Sequence, residues 1–472
     1  MKTLLRWIVR IVLGLLALVA LFIAVLVAAN WQDEPLTPEA TRLLAPPAPT
    51  TDTPNAYYVL LGLDAPDDED ALTAGKRLRS EFNRQCRENP TNCPYEEIPR
   101  SKTISEPSSH WTKLQCRQQG TNNVDFYLSE KDNIKQLLAE QTLLRQRYQQ
   151  LSQIPAFDEP PRYVYDIPLL SYYSPLTLAA EMRRMEAVLA LDKDELQTGA
   201  NILMEEIRVH RRLVAGSSQR ISKMMFLALL RHDYEMLSDA IERWPALARQ
   251  VTLTEALQPL REQEYSMRKV IESDAIWCAS LVYGTAPLRQ IGLRESMEKS
   301  WKDWIASLLI LPNTTINVIA RWGAEDIQAS EGDTATIDAR FRAYTIKRME
   351  ELKQIAPYAS WRFIRNPSGK TLLSLIGTTY GFSDHITERI YDLDGYIRLV
   401  ALQAALRRDN VPLNKVADYV QNAAPDLRNP YDGQPMRWDA TTSTLSFEGR
   451  QADNADPSET PKIFSVHLKF KG

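Results

Sequence analysis

Reactive side chains are scarce: 472 residues carry four cysteines and five histidines. His110, His210, His232, His385 and His467 are scattered, and neither His-Glu-x-x-His nor Cys-x-x-Cys occurs, which disfavours bound zinc. Gly-x-Ser-x-Gly is missing as well, so the nucleophile elbow of a hydrolase has no counterpart. No metal, cofactor or contiguous catalytic set is expected. Charge excess of one sign is also lacking: 56 Lys and Arg face 60 Asp and Glu, a net charge of −4. Binding to a nucleic-acid backbone needs clustered cations, so nucleic acid is not an expected partner. Long apolar runs are lacking beyond the first thirty residues. The longest later one, Ile305 to Leu311 before Pro312, is far too short to span a bilayer.

Several near-motifs dissolve on inspection. Pro367-Ser368-Gly369-Lys370-Thr371 ends like a phosphate loop, but Ile364 stands where the first glycine belongs, and a turn leading into Leu372–Ile376 is the simpler reading. Ser266-Met267-Arg268-Lys269 and Ser296-Met297-Glu298-Lys299 both fit Ser-x-x-Lys without its partner signatures, and read as solvated helix faces. Ser383-Asp384-His385 has triad residue types, but adjacent side chains diverge, so a capped helix start is expected. Asp67-Asp68-Glu69-Asp70 opens a helix to about Gln85 rather than a calcium loop, and Asp392-Leu393-Asp394-Gly395 lacks calcium-loop spacing.

What is present starts at residue 1. Lys2, Arg6 and Arg10 precede nineteen uncharged residues, Ile11 to Ala29, which as a helix span about 28 Å, the thickness of a hydrocarbon core. Trp7 and Trp31 bracket the block, and Asp33, Glu34 and Glu39 follow it. Cationic flanks stay cytoplasmic, so the rest of the chain is expected to be exported behind an uncleaved anchor. Cleavage near Val27-Ala28-Ala29 is the competing reading. Export makes disulfides plausible for Cys86, Cys93, Cys116 and Cys278: Cys86–Cys93 with Cys116–Cys278 is the preferred pairing of three. Alternatively, Cys278 is a buried small hydrophobe.

The fold class predicted is mainly α: an N-terminal transmembrane helix, a periplasmic bundle or array of helical hairpins, and a small C-terminal α+β segment with a β-hairpin. Residues 1–30 form the cytoplasmic stub and anchor. Residues 31–55, rich in proline, form an extended tether holding the body off the bilayer. Residues 56–392 form the helical domain, with a Cys-rich loop region at 86–123, and 393–472 a helix plus hairpin. After the apolar run Tyr57–Leu63, a helix from Ser129 puts Ile134, Leu137, Leu138, Leu144, Tyr148 and Leu151 on one face. From Ser174 to Leu247 short joints are read at Asp192–Asp194, Gly216–Ser218, His232–Asp233 and Trp244–Pro245, implying antiparallel neighbours. Further helices are read at 253–282, 293–309, 334–356, 393–408 and 413–423, and strands at Ser443–Phe447 and Ile463–Phe470.

Taken whole, this layout resembles a family of single-pass envelope proteins of Gram-negative bacteria. The resemblance implies an inner-membrane anchor and a periplasmic helical domain, with no assigned activity. Residues 393–447 resemble the helix–loop–β-hairpin module of pseudopilin-like proteins, whose Asp-Pro-aromatic-x-Gly-x-Pro motif is matched by Asn429-Pro430-Tyr431-Asp432-Gly433-Gln434-Pro435, with Asn for Asp. In pseudopilins the module follows the N-terminal membrane helix directly; here it does not. In layout alone the chain is similar to membrane-anchored lipase foldases, whose Arg and Phe-Asp-Tyr signature finds only a poor echo in Val124–Ser129.

The expected function is that of a membrane-anchored envelope interaction or scaffold protein whose partners are the inner membrane and another envelope protein. A hydrolase or transferase with a non-contiguous site, or a foldase-like chaperone, is the alternative. Two surfaces are singled out: Trp301 with Trp304, three apart on a helix, and the basic group Arg208, His210, Arg211 and Arg212. Each has a plainer reading, as a helix–helix contact and as a solvated helix end.

Overall fold

The computed structural model describes residues 2–45, 54–88, 101, 104, 111, 114, 122–161, 172–285, 309–332, 336–355, 360–379, 383–452 and 461–468. The chain is mainly helical, with one N-terminal apolar helix and a small three-stranded sheet towards the C-terminus. In chain order the helices used below are α1 (Lys2–Ala29), α2 (Pro38–Leu43), α3 (Ala56–Leu61), α4 (Ala71–Glu88), α5 (Asn123–Ser129), α6 (Lys131–Glu140), α7 (Thr142–Gln153), α8 (Tyr173–Asp192) and α9 (Leu196–Gly216). They continue with α10 (Arg220–Arg243), α11 (Leu253–Ala256), α12 (Glu262–Tyr265), α13 (Arg268–Thr285), α14 (Pro312–Ser330), α15 (Ile337–Ile355), α16 (Pro367–Thr379), α17 (Ser383–Arg408) and α18 (Val416–Gln421). Two compact units interleave along the sequence. One comprises Met1–Ala48, Ile271–Ala329 and Asp338–Ser383; the other comprises Pro49–Val270, Ser330–Ile337 and Asp384–Gly472.

The first unit contains α1. Its segment Arg6–Ala29 has a mean hydropathy of 3.2 and buries none of its most apolar window within the protein. A helix this long and apolar, with its side chains unpacked, can cross a membrane. The prolines predict an extended chain after it, but Pro38 occupies the first turn of α2, where its missing N–H costs nothing. Thr37 Oγ1 caps this helix by accepting from Ala40 N at 3.2 Å. Nor is the segment free. Asp33 accepts from Asn313 N (2.7 Å) and Thr314 N (3.0 Å) at the start of α14, and Asn317 Oδ1 accepts from Thr37 N. Ala40 then joins a core made by Ala275, Cys278, Ala279 and Val282 of α13, Ile316, Ile319 and Trp322 of α14, Leu352 of α15, and Leu373 and Ile376 of α16. Cys278 thus lies in this core. Cys93 and Cys116 fall outside the described residues, as does the side chain of Cys86; no disulfide occurs among the described residues. Pro367–Thr371 is the first turn of α16 rather than a loop, and a Cβ on Gly369 would sit 2.2 Å from Asn366 Oδ1.

In the second unit α8, α9 and α10 are consecutive antiparallel helices, as the short joints predict. Asp194, at φ 62°, turns the α8–α9 joint, and Ser217-Ser218 makes the next. Helix α8 buries residues on nearly all sides, from Pro175 to Leu191, and so is central rather than amphipathic. The joint read at His232–Asp233 is absent: α10 runs unbroken from Arg220 to Arg243. Aspartate is a poor helix former in water, but Asp233 is buried and paired, and tertiary contacts override propensity. The apolar run after Asn55 is helix α3, and Asp70 Oδ2 caps α4 by accepting from Thr73 N (3.0 Å), as the acidic cluster predicts. Helices α6 and α7 share the expected face, with Ile134, Leu137, Leu144, Tyr148 and Leu151 all buried.

Helix α17 is longer than read and carries the sheet. Strands β1 (Arg437–Asp439), β2 (Thr444–Ala452) and β3 (Pro461–His467) pair antiparallel in that order. Phe447 and Phe464 are partners in the β2–β3 register and stack at 5.1 Å between centroids. Gly395 of α17 lets Phe447 approach: a Cβ there would lie 2.5 Å from the ring. Gly433 at φ 67° makes the turn before β1. Trp438 of β1, paired with Leu445, falls in no strand of the sequence reading, because three residues carry no alternation.

Candidate functional site

Ionisable groups converge inside the second unit where α8, α9 and α10 meet α7. Glu206 and His210 are one turn apart on α9 and face the same way. Asp233 Oδ2 lies 2.5 Å from His210 Nδ1, and Asp233 Oδ1 accepts from Arg184 at 2.6 Å. Tyr148 OH donates to Glu206 Oε2 (2.7 Å) and sits 3.2 Å from His210 Nε2. Beyond Arg184, Glu181 takes two guanidinium hydrogen bonds and one from Tyr127 of α5. Arg183 and Arg145 both pair with Glu186. Arg183 also reaches Glu205 (2.7 Å) and Glu206 (3.5 Å), so arginines 145, 183 and 184 face five carboxylates, 181, 186, 205, 206 and 233.

Burial alone would raise Asp233, but the charges and hydrogen bonds of His210 and Arg184 outweigh it and hold the carboxyl below its ordinary range. Glu206 goes the other way: burial pushes it up to about 7, against the pull of His210. Tyr148 has one proton to give. It can go to Glu206 Oε2 at 2.7 Å or face His210 Nε2 at 3.2 Å. The line Asp233–His210–Tyr148–Glu206 can thus share a proton internally. It resembles a base held by an orienting carboxylate, but His210 and Asp233 are 0 % exposed, so no substrate atom reaches them. Its physical effect is to lock four helices together.

Other buried cations pin loops. Arg147 donates to the carbonyls of Leu63, Ala65, Pro66 and Glu69, and Lys223 Nζ to those of Val214, Glu264 and Ser266. Glu159 closes the start of α10, accepting from Ser218 N (2.8 Å), Gln219 N (3.0 Å) and Ser222 Oγ (2.6 Å). Burial pushes its carboxyl up to about 7 against these bonds. Asp392 and Asp394 are buried in α17: the first accepts from Tyr431 OH and Arg450 N, the second from Leu260 N and Arg398.

An open site remains on the far side of α9. A cavity of about 320 Å³ lies between α9, α11 and α12, lined by Arg208, Arg211, Arg212 and Arg261 against Glu255 and Glu264. Four arginines over two glutamates leave two positive charges in excess. Arg211 is spent structurally, bidentate on Glu264 (2.8 and 2.7 Å) and donating to Gln258 and Pro259 carbonyls. Arg208 is exposed and shares Glu255 with Arg261. Arg212 donates to Leu151 O, but its Nε is buried with no hydrogen-bond partner and no carboxylate pairs with it among the described residues. Burial holds its pKa below the ordinary guanidinium value. A larger cleft of about 750 Å³, beside α18, has Arg408 and Lys415 matched by Asp409 and Asp418, and so no charge excess.

The basic group read from sequence is therefore divided: Arg208 and Arg212 line the cavity, Arg211 lines it while holding its floor, and His210 points inward. Trp301 and Trp304 lie outside the described residues, as do Ser296–Lys299; Lys269 pairs with Asp158 at 2.5 Å. The side chain of His385 is likewise undescribed, and His232 is exposed. What sequence reasoning misses is the buried line. Its one signal was charge inside apolar helices, at Arg183-Arg184 and Asp233. Compared with family models, curated proteins and solved structures, the chain matches none.

Proposed function

We propose that this is a membrane-anchored interaction or scaffold protein of a bacterial cell envelope, with its body outside the cytoplasm. The α9–α11–α12 cavity receives an acidic group of a partner protein. The anchor rests on the uncharged stretch Ile11–Ala29 of helix α1, and the orientation on Lys2, Arg6 and Arg10 before that stretch and Asp33 and Glu34 after it. The cavity's excess of positive charge is the observation that carries the binding role. A carboxylate there would meet Arg208 and Arg261, and hydrogen bonds from guanidinium to carboxylate are among the stronger ones.

A photo-crosslinker placed at position 263, beside the cavity, in cells carrying the full chain tests this. A reproducible protein adduct that disappears when Arg208→Glu and Arg212→Glu are combined supports the reading. An adduct indifferent to the charge reversal counts against it. The alternative, an envelope hydrolase or transferase, has one observation on its side, the orienting contact of Asp233 on His210. It would require α9 and α10 to part before a substrate could arrive.

A further inference from the structure

The residue directly after α1 ties that helix to a distant surface turn of the same unit. Asn30 Nδ2 donates to Ile364 O at 2.9 Å, and Asn30 Oδ1 accepts from Asn366 N at 2.6 Å. Asn366 is itself fixed: its Oδ1 accepts from Leu311 N and its Nδ2 donates to Thr315. The 3-10 turn Trp361–Ile364 is thus held at the end of the apolar helix by buried hydrogen bonds, not by a flexible link.

That turn presents an unusual surface. Trp361 is 78 % exposed, and Trp31, at the helix exit, is 83 % exposed. Arg362 and Arg365 are exposed beside them, with the Arg362 guanidinium 6.0 Å from the Trp361 ring centre. Lys370 donates to the Arg362 carbonyl and adds a third cation. Glu34 lies 3.8 Å from Arg365, and among the described residues neither Arg362 nor Lys370 pairs with a carboxylate. Exposed indoles cost free energy in water, but they suit the headgroup level of a bilayer, where one edge is apolar and the other wet. Unpaired cations suit the phosphates there.

We propose that the turn Trp361–Ile364, with Arg365 and Lys370, is a second membrane contact. Trp361 sits in the headgroup layer of the leaflet from which α1 emerges, and the cations face the phosphates of anionic phospholipids. This rests on the reading of α1 as a span. It places the unit against the bilayer, where a free tether would hold it away. Occupancy by phospholipid follows from continuity: the turn is hydrogen-bonded to the first residue that leaves the hydrocarbon.

The test uses the full chain in nanodiscs containing phosphatidylglycerol, with and without phosphatidylcholine brominated near the headgroup. The wild-type emission minus that of Trp361→Phe isolates Trp361, and wild type minus Trp7→Phe isolates a residue bracketing the span. The Trp361 signal is expected to be about twofold or more dimmer in brominated discs. Combining Arg362→Glu with Arg365→Glu should restore much of it. Equal Trp361 brightness in both discs, with Trp7 quenched, overturns the second contact alone. Quenching unmoved by the charge reversal overturns the role of the arginines. If Trp7 is not quenched either, the span itself is wrong.

Discussion

Arg184 is 1 % exposed and has no water to turn to, so its worth lies in what its partners would lose without it. Removing one member of a buried ion pair strands the other in a low-dielectric interior, at a cost of about 3–5 kcal/mol. Asp233→Ala, which strands both Arg184 and His210, is therefore expected to destabilise the second unit by about that amount in denaturant unfolding. A loss below about 1 kcal/mol would show that water enters and screens the site. Arg208→Ala, exposed and paired only with exposed Glu255, should cost less than about 1 kcal/mol in the same measurement.

The pH dependence belongs to single residues as well. Glu159 and Glu206 are each raised from 4.5 to about 7. A carboxyl with a raised folded pKa binds its proton more tightly folded than unfolded, so its contribution is complete below about 4.5 and disappears as pH rises through about 7. For each group this amounts to about 3 kcal/mol over that window. Lys223, pushed down by burial to about 7 from 10.5, acts oppositely, and its contribution returns as pH rises above about 7. Melting temperature followed from pH 5 to 7.5 is expected to fall less steeply in Glu159→Gln than in wild type. Parallel curves would mean that Glu159 stays ionised throughout.

Among elements, the seat of the sheet on α17 is the least tolerant contact. Gly395→Ala would push a methyl to within 2.5 Å of the Phe447 ring, and overpacking of this kind costs about 1–3 kcal/mol. Selective loss of hydrogen-exchange protection in β2 and β3 is the expected readout; unchanged protection would show that the ring rotates away freely. Elements with a local signature were legible beforehand: the α6–α7 apolar face, the breaks at Asp192–Asp194 and Gly216–Ser218, and the alternation in β2 and β3. Those settled by distant partners were not. Asp233 looks like a helix break until Arg184 and His210, 49 and 23 positions away, are in place. Arg211 looks solvated until Glu264, 53 positions on, closes over it. Pro38 reads as a breaker within the tether, although proline is at home in a first turn.

At the scale of the whole molecule, a bare apolar helix leads without slack into a folded unit, through Asn30, Asp33 and Thr37. The exit of α1 and the fold of that unit are therefore coupled: cutting the chain after Ala29 would strip away α1 and leave Asn30 at a new terminus. The measurement that bears most directly on the account is the intact mass of the protein recovered from cell membranes after alkaline carbonate washing. The full chain, residues 1 to 472, retained in the pellet is the expected result. A product beginning at or near Asn30 and released with the soluble fraction would contradict it.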